Sequence, residues 1–142
     1  MASVLSCLDI PEADLRPKLD PGIWVEPKDK DPASEDTRQV RVVNRMKRDH
    51  RDIAVHAVPN GGRQSDWARI RAEKMGVVAG QPDLEFNWIG GGGLVEMKDG
   101  EGNPSRAQIE RLNQLYRMGK NVAICRTPEG VMGRLRVWGA PV

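Results

Sequence analysis

The sequence predicts an α/β domain, a central mixed sheet that carries a hairpin and is flanked by helices on both faces. Three observations predict it. Four segments with helical spacing of apolar residues open on capping residues: Ser34, Ser65, Ser105 and Thr127. Short runs of β-branched and apolar residues lie between them, at residues 53–58 and 121–126. The stretch 82–98 alternates polar and apolar on either side of four consecutive glycines, as two half-buried strands of a hairpin do.

Taken in order, the first helix begins near Ser34, with Glu35 and Asp36 suiting its positive N-terminal end. Val40, Val43 and Met46 recur there at helical spacing and mark its inner face. Ile53 to Val58 reads as a short buried strand, ended by the breaker Pro59-Asn60-Gly61-Gly62. A second helix runs from Ser65 to about Met75 and stops at Gly76. Pro82 to Trp88 forms one hairpin strand, Gly90–Gly93 a loose turn, and Gly93 to Lys98 the return strand. Pro104 and Ser105 open a helix that runs through Met118 and closes at Gly119. Asn121–Arg126 reads as a buried strand, with Cys125 as a small core residue. A final helix follows Thr127-Pro128-Glu129, with Val131, Leu135 and Trp138 on one face.

Residues 1–33 differ from the rest. They hold five of the ten prolines, which blocks long helices and central strands, yet they include Leu19, Ile23, Trp24 and Val25. An irregular arm that docks on its own domain or on a partner subunit is expected for 1–33, ahead of a domain spanning 34–142. The arm carries four basic and seven acidic residues, leaving 18 basic and 13 acidic residues downstream. A body with that excess of cations suits nucleic acid, and it suits an ordinary solvated surface as well. Two cysteines, Cys7 and Cys125, make neither a disulfide framework nor a cysteine zinc site. No secretory signal or membrane span is expected, which points to the cytosol of a bacterium or of a phage-infected host.

The chemistry concentrates on the hairpin. Glu96 and Lys98 are two apart on one strand and share a face, while Met97 points the other way. Asp83 lies near the start of the partner strand, where opposite positions sit about 5 Å apart at Cβ. Two carboxylates that close need a proton or a cation between them. Their oxygens, with a neighbouring carbonyl, form a hard donor set suited to Mg²⁺ or Mn²⁺. Phosphodiester hydrolysis uses such a site, with a lysine beside it to stabilise the pentacovalent phosphate. The glycines 90–93 lack the Lys-Ser/Thr that follows a phosphate-binding loop. Arg63, Arg69, Arg71 and Lys74 are candidates to grip a DNA backbone. His56, at a strand end before Pro59, suits a structural or substrate-contacting role better than that of a general base.

Pro82-Asp83, twelve residues, then Glu96-Met97-Lys98 resembles the PD-(D/E)xK nuclease signature. The flanking Val55-His56-Ala57-Val58-Pro59-Asn60-Gly61-Gly62 and Ala79-Gly80-Gln81-Pro82-Asp83-Leu84 sharpen it, as do Ser105, Gln108 and Gly119-Lys120-Asn121-Val122. Over about residues 34–138 the chain is similar to the VRR-Nuc (virus-type replication and repair nuclease) family, in its small standalone form. The resemblance implies a restriction-endonuclease-like core. It implies Asp83, Glu96, Glu35 and the Met97 carbonyl as metal ligands, Lys98 as the catalytic lysine, and Gln108 as an active-site glutamine. It also implies a homodimer acting on DNA, with branched or four-way junction DNA as the substrate. Three other readings stand beside it: a nicking or flap nuclease without junction preference, a module of the same fold that binds nucleic acid without cutting, and a structural protein whose hairpin acids only bind a stabilising ion.

Overall fold

The computed structural model describes residues 17–59 and 65–142. Arg63 and most of the Pro59–Gly62 breaker lie outside the described residues, as does Cys7. The elements in chain order are β1 (Trp24–Val25), α1 (Glu35–Asp49), β2 (Ala54–Ala57), α2 (Asp66–Lys74) and β3 (Leu84–Trp88). They continue with β4 (Gly91–Met97), α3 (Arg106–Arg117), β5 (Val122–Cys125) and α4 (Pro128–Val137). All four helices begin where the capping residues predict. The side chains of Ser34, Ser65, Ser105 and Thr127 each accept a hydrogen bond from a first-turn amide that has no partner within the helix.

The five strands form one mixed sheet in the order β1-β5-β4-β3-β2. β1, β5 and β4 run parallel, and β3 and β2 are antiparallel to their neighbours. Side chains alternate across this sheet and feed two cores. On one face Leu84, Phe86, Val95, Met97, Ala123 and Cys125 meet Val42 and Met46 of α1 and Val131 and Leu135 of α4. On the other, Val122 and Ile124 meet Leu112 and Leu115 of α3, with Ile23 from the arm. Cys125 is fully buried, and burial pushes its thiol pKa above the ordinary value, as suits a core residue.

Three local expectations are corrected. The stretch 53–58 was expected to be a buried strand, but β2 is an edge strand and mostly exposed. Composition reports β-propensity; it does not say whether a strand ends up central or at an edge. The inner face of α1 is Arg38, Val42 and Met46, a stripe at i, i+4, i+8, while Val40 is exposed. An arginine inside the stripe hides its phase from a hydrophobicity reading. The glycines 90–93 do not form a loose turn. Only Ile89 and Gly90 turn, with Gly90 at φ +90°, and Gly91–Gly93 pair with Trp88, Asn87 and Phe86 inside the sheet.

The glycines have a packing reason. A Cβ on Gly93 would lie 2.5 Å from the Trp138 ring, and one on Gly91 would lie 2.7 Å from Trp88 Nε1. The two indoles occupy the space that side chains would otherwise fill. Gly93→Val is therefore expected to cost about 1–3 kcal/mol, the usual penalty for overpacking, despite valine's better strand propensity. Urea unfolding measures it, and an unchanged midpoint would contradict the packing account.

The described part of the arm, from Pro17, docks on its own domain. Trp24 and Val25 extend the sheet beside β5. Two buried arginines then fasten the segment. Arg38 donates to both Asp29 carboxylate oxygens and to the carbonyls of Asp31, Ala33 and Arg126. Arg126 donates to the carbonyls of Glu26, Asp99 and Gly102. The Glu26 carboxylate caps the start of α4, accepting from the amide and hydroxyl of Thr127. Gly130 permits this, since a Cβ there would lie 2.1 Å from Glu26 Oε2.

A carboxylate cluster as candidate metal centre

Each residue of the cluster is held by a local rule. Asp83 sits one residue before β3, and Leu84 pairs with Val95, so Asp83 falls opposite Glu96. Its carbonyl accepts from the Val58 amide at 2.8 Å, and its Oδ2 accepts from the Met97 amide at 2.9 Å. Glu96 lies inside β4 and is fully buried. Lys98 follows β4 directly, its amide bound to the Cys125 carbonyl at 2.9 Å. Glu35 is the first residue of α1, behind the Ser34 cap. These four positions bring three carboxylates and one ammonium together. One oxygen each of Glu35, Asp83 and Glu96 lie within 4.8 Å of one another. Lys98 Nζ is 3.7 Å from Glu35 Oε1 and 3.8 Å from Glu96 Oε1.

Gln108 joins them through a capping box. Its Oε1 accepts from the Ser105 amide at 2.8 Å while its own amide donates to Ser105 Oγ. That leaves Nε2 free to donate to Glu96 Oε1, at 2.7 Å. A helix start thus freezes the glutamine and aims its NH₂ at the buried carboxylate. Glu96 Oε2 is buried and meets no N–H or O–H donor among the described residues. The neighbouring Asp83 carboxylate can hydrogen-bond Glu96 only if a proton lies between them.

Burial, then the Asp83 charge beside it, pushes the Glu96 carboxyl up to about 9. Burial also raises Glu35, partly offset by Lys98. Without a metal, Glu96 keeps its proton at neutral pH. The sign for stability follows. A raised carboxyl contributes stability fully below its ordinary value of 4.5 and loses it as pH rises through about 9. Metal-free protein is therefore expected to melt progressively below Glu96→Gln as pH increases across that window. Calorimetry in EDTA checks it, and parallel melting curves would refute the buried-acid assignment.

A cleft of about 490 Å³ opens beside the cluster, between the start of α1, α2, the 77–81 loop and the start of α3. Glu35, Asp83 and Gln108 line it, as does Arg69 of α2. Arg71 and Lys74 lie on a different face of α2. His56 is exposed on β2, opposite Glu85. The expected site residues Glu35, Asp83, Glu96, Lys98 and Gln108 converge, whereas among the described members of the suggested cationic grip Arg69 faces the cleft and Arg71 and Lys74 do not. Arg38 and Arg126 escaped the sequence reading. Arg126 holds the 99–102 loop that follows Lys98, and no local motif marks an arginine destined for burial.

No family model matches the chain, and no curated protein matches it. A solved structure named "VRR_NUC domain protein" does match, with a TM-score of 0.62 and 26% identity. The match covers 78% of this chain and 91% of that one. The mixed sheet, the carboxylate hairpin and this structural neighbour together bear out the resemblance to the VRR-Nuc family.

Proposed function

We propose that the chain is a divalent-metal-dependent nuclease that hydrolyses DNA phosphodiester bonds, with residues 34–142 as its catalytic body. The observation that carries this reading is the convergence of Glu35, Asp83 and Glu96 with Lys98 at the edge of an open cleft. Three carboxyl groups crowd one lysine, so that only a proton or a cation lets Glu96 sit there, and a buried Glu96 oxygen lacks a donor among the described residues. Both features fit a hard dication held by Glu35, Asp83 and Glu96, with the Met97 carbonyl as a further donor. Mg²⁺ or Mn²⁺ there supplies Lewis acidity and a more acidic bound water.

The chain's own residues do the rest. The Lys98 ammonium, fixed between two carboxylates, is positioned to donate to an attacking hydroxide or to the phosphoryl oxygens as charge develops. Gln108 keeps Glu96 from rotating away. The resemblance extends the reading to branched or four-way junction DNA cut by a homodimer, whose two-fold axis suits a symmetric junction. A cytosolic setting goes with such a substrate; among the described residues, no helix is long and apolar enough to cross a membrane.

The test is cleavage of labelled linear duplex, single strand, flap and four-way junction with Mg²⁺, Mn²⁺ or EDTA, alongside sedimentation. Metal-dependent cutting lost in Lys98→Ala supports the reading, and the preferred substrate and mass settle its finer parts. Binding without cutting under every metal would overturn it.

A further inference from the structure

The helix α2 is unlike the other three described helices. Among its residues none is buried, although it carries Trp67 and Ile70. Trp67 is 76% exposed, while Trp24, Trp88 and Trp138 are all half-buried against the core. A tryptophan exposed at that level has no packing role among the described residues. Its surroundings are specific. Trp67, Ile70, Arg71 and Lys74 recur at i, i+3, i+4 and i+7 and line one shallow groove of about 290 Å³.

Among the described residues, no acidic side chain lines that groove. Asp66 is turned to Arg69, at 3.1 Å, and Glu73 lines the carboxylate cleft. Neither Arg71 nor Lys74 forms an ion pair among the described residues. Among the described residues the groove is thus an aromatic and aliphatic floor with two cations and no anion. The same helix turns Arg69, Ala72 and Glu73 into the cleft. A strand leaving the cleft needs only to pass around one helix to reach the groove.

We infer that this face of α2 holds an unpaired nucleotide of a DNA strand, Trp67 stacking on the base while Arg71 and Lys74 contact its phosphates. Every base has a flat face on which an indole can stack, and cations beside it follow the backbone. In a paired duplex the bases are stacked already and offer Trp67 no face. The groove therefore selects substrates that present a single-stranded segment next to the bond in the cleft. The inference rests on the nuclease reading for its biological sense, but its binding step needs neither metal nor cutting.

The experiment uses the full chain in EDTA with a fluorescein-labelled oligothymidylate and, separately, a labelled blunt duplex. Oligothymidylate is expected to quench tryptophan emission and to bind with salt dependence. Trp67→Ala should weaken that binding at least tenfold, on the scale of one lost stack, and leave duplex binding unchanged. Trp67→Phe should restore most of it. Arg71→Ser with Lys74→Ser should reduce the salt dependence. Equal oligothymidylate binding by wild type and Trp67→Ala would overturn the inference. So would a wild-type dimer that Trp67→Ala turns into monomer with no oligonucleotide bound, since a second copy would then cover the groove. If the stack is found but no substrate is ever cut, the nuclease reading fails alone. If cutting is found but Trp67→Ala treats flap and duplex as wild type does, the stacking inference fails alone.

Discussion

Asp83→Asn is expected to abolish cleavage, by about 10³-fold or more given the size of effects at charged catalytic sites, while making the metal-free protein as stable or more so. The two effects have one origin. Asp83, Glu96 and Glu35 crowd three acids within 4.8 Å, with only Lys98 among the described residues to offset them at close range. Asparagine removes one charge and, on the proposed function, one ligand of the dication, yet its Oδ1 can still accept from the Met97 amide as Asp83 Oδ2 does at 2.9 Å. In the metal-free protein, repulsion on Glu35 and the pressure on Glu96 to hold a proton both fall, and the backbone anchor stays. The pair of measurements is a single-turnover cleavage rate and a melting curve in EDTA. A variant that loses activity by unfolding would contradict this account, as would one that cuts at the wild-type rate.

Arg38→Met carries the largest expected stability loss. Arg38 is 1% exposed and donates to three backbone carbonyls besides the Asp29 carboxylate. Methionine fills much of the volume but donates nothing. At about 1 kcal/mol for each carbonyl left without its donor, the loss is about 3 kcal/mol, or a melting point about 10 °C lower for a chain of this size. The guanidinium holds the Asp29 carboxyl down at about 2, so the pairing persists through ordinary buffer conditions. Urea unfolding checks the figure. A loss below 1 kcal/mol would mean that water replaces the guanidinium and that the segment 26–33 is only lightly tied. Lysine should not rescue, because one ammonium cannot reach five acceptors spread in the plane of a fork.

Much of the fold was legible because its punctuation is local. Ser34, Ser65, Ser105 and Thr127 satisfy amides that any helix start leaves open, so the helix starts are readable without knowing what the helices pack on. The hairpin was legible for a similar reason: strand alternation put Glu96 and Lys98 on one side of β4 and Met97 on the other, where it is fully buried. The pairing of Asp83 with Glu96 follows from the register of two strands joined by a short turn. Glu35 and Gln108 reached the candidate site by resemblance, and the capping box explains why Gln108 can serve there.

Other features depended on partners far away in sequence. Gly91 and Gly93 look like a flexible turn until Trp88 and Trp138 are laid over them. Residues 53–58 look like a core strand until β2 is found at the sheet edge. Arg38 and Arg126 look like surface cations until carbonyls from the arm, the end of β5 and the 99–102 loop surround them.

By itself, then, the sequence determined where the helices start, which hairpin carries the acids and which side of that hairpin they share, since caps and strand alternation act within a few residues. Only the tertiary structure decided which glycines are packed, which arginines are buried and that α2 stands with its tryptophan in water. Those outcomes are set by residues tens of positions apart competing for the same space and the same hydrogen bonds.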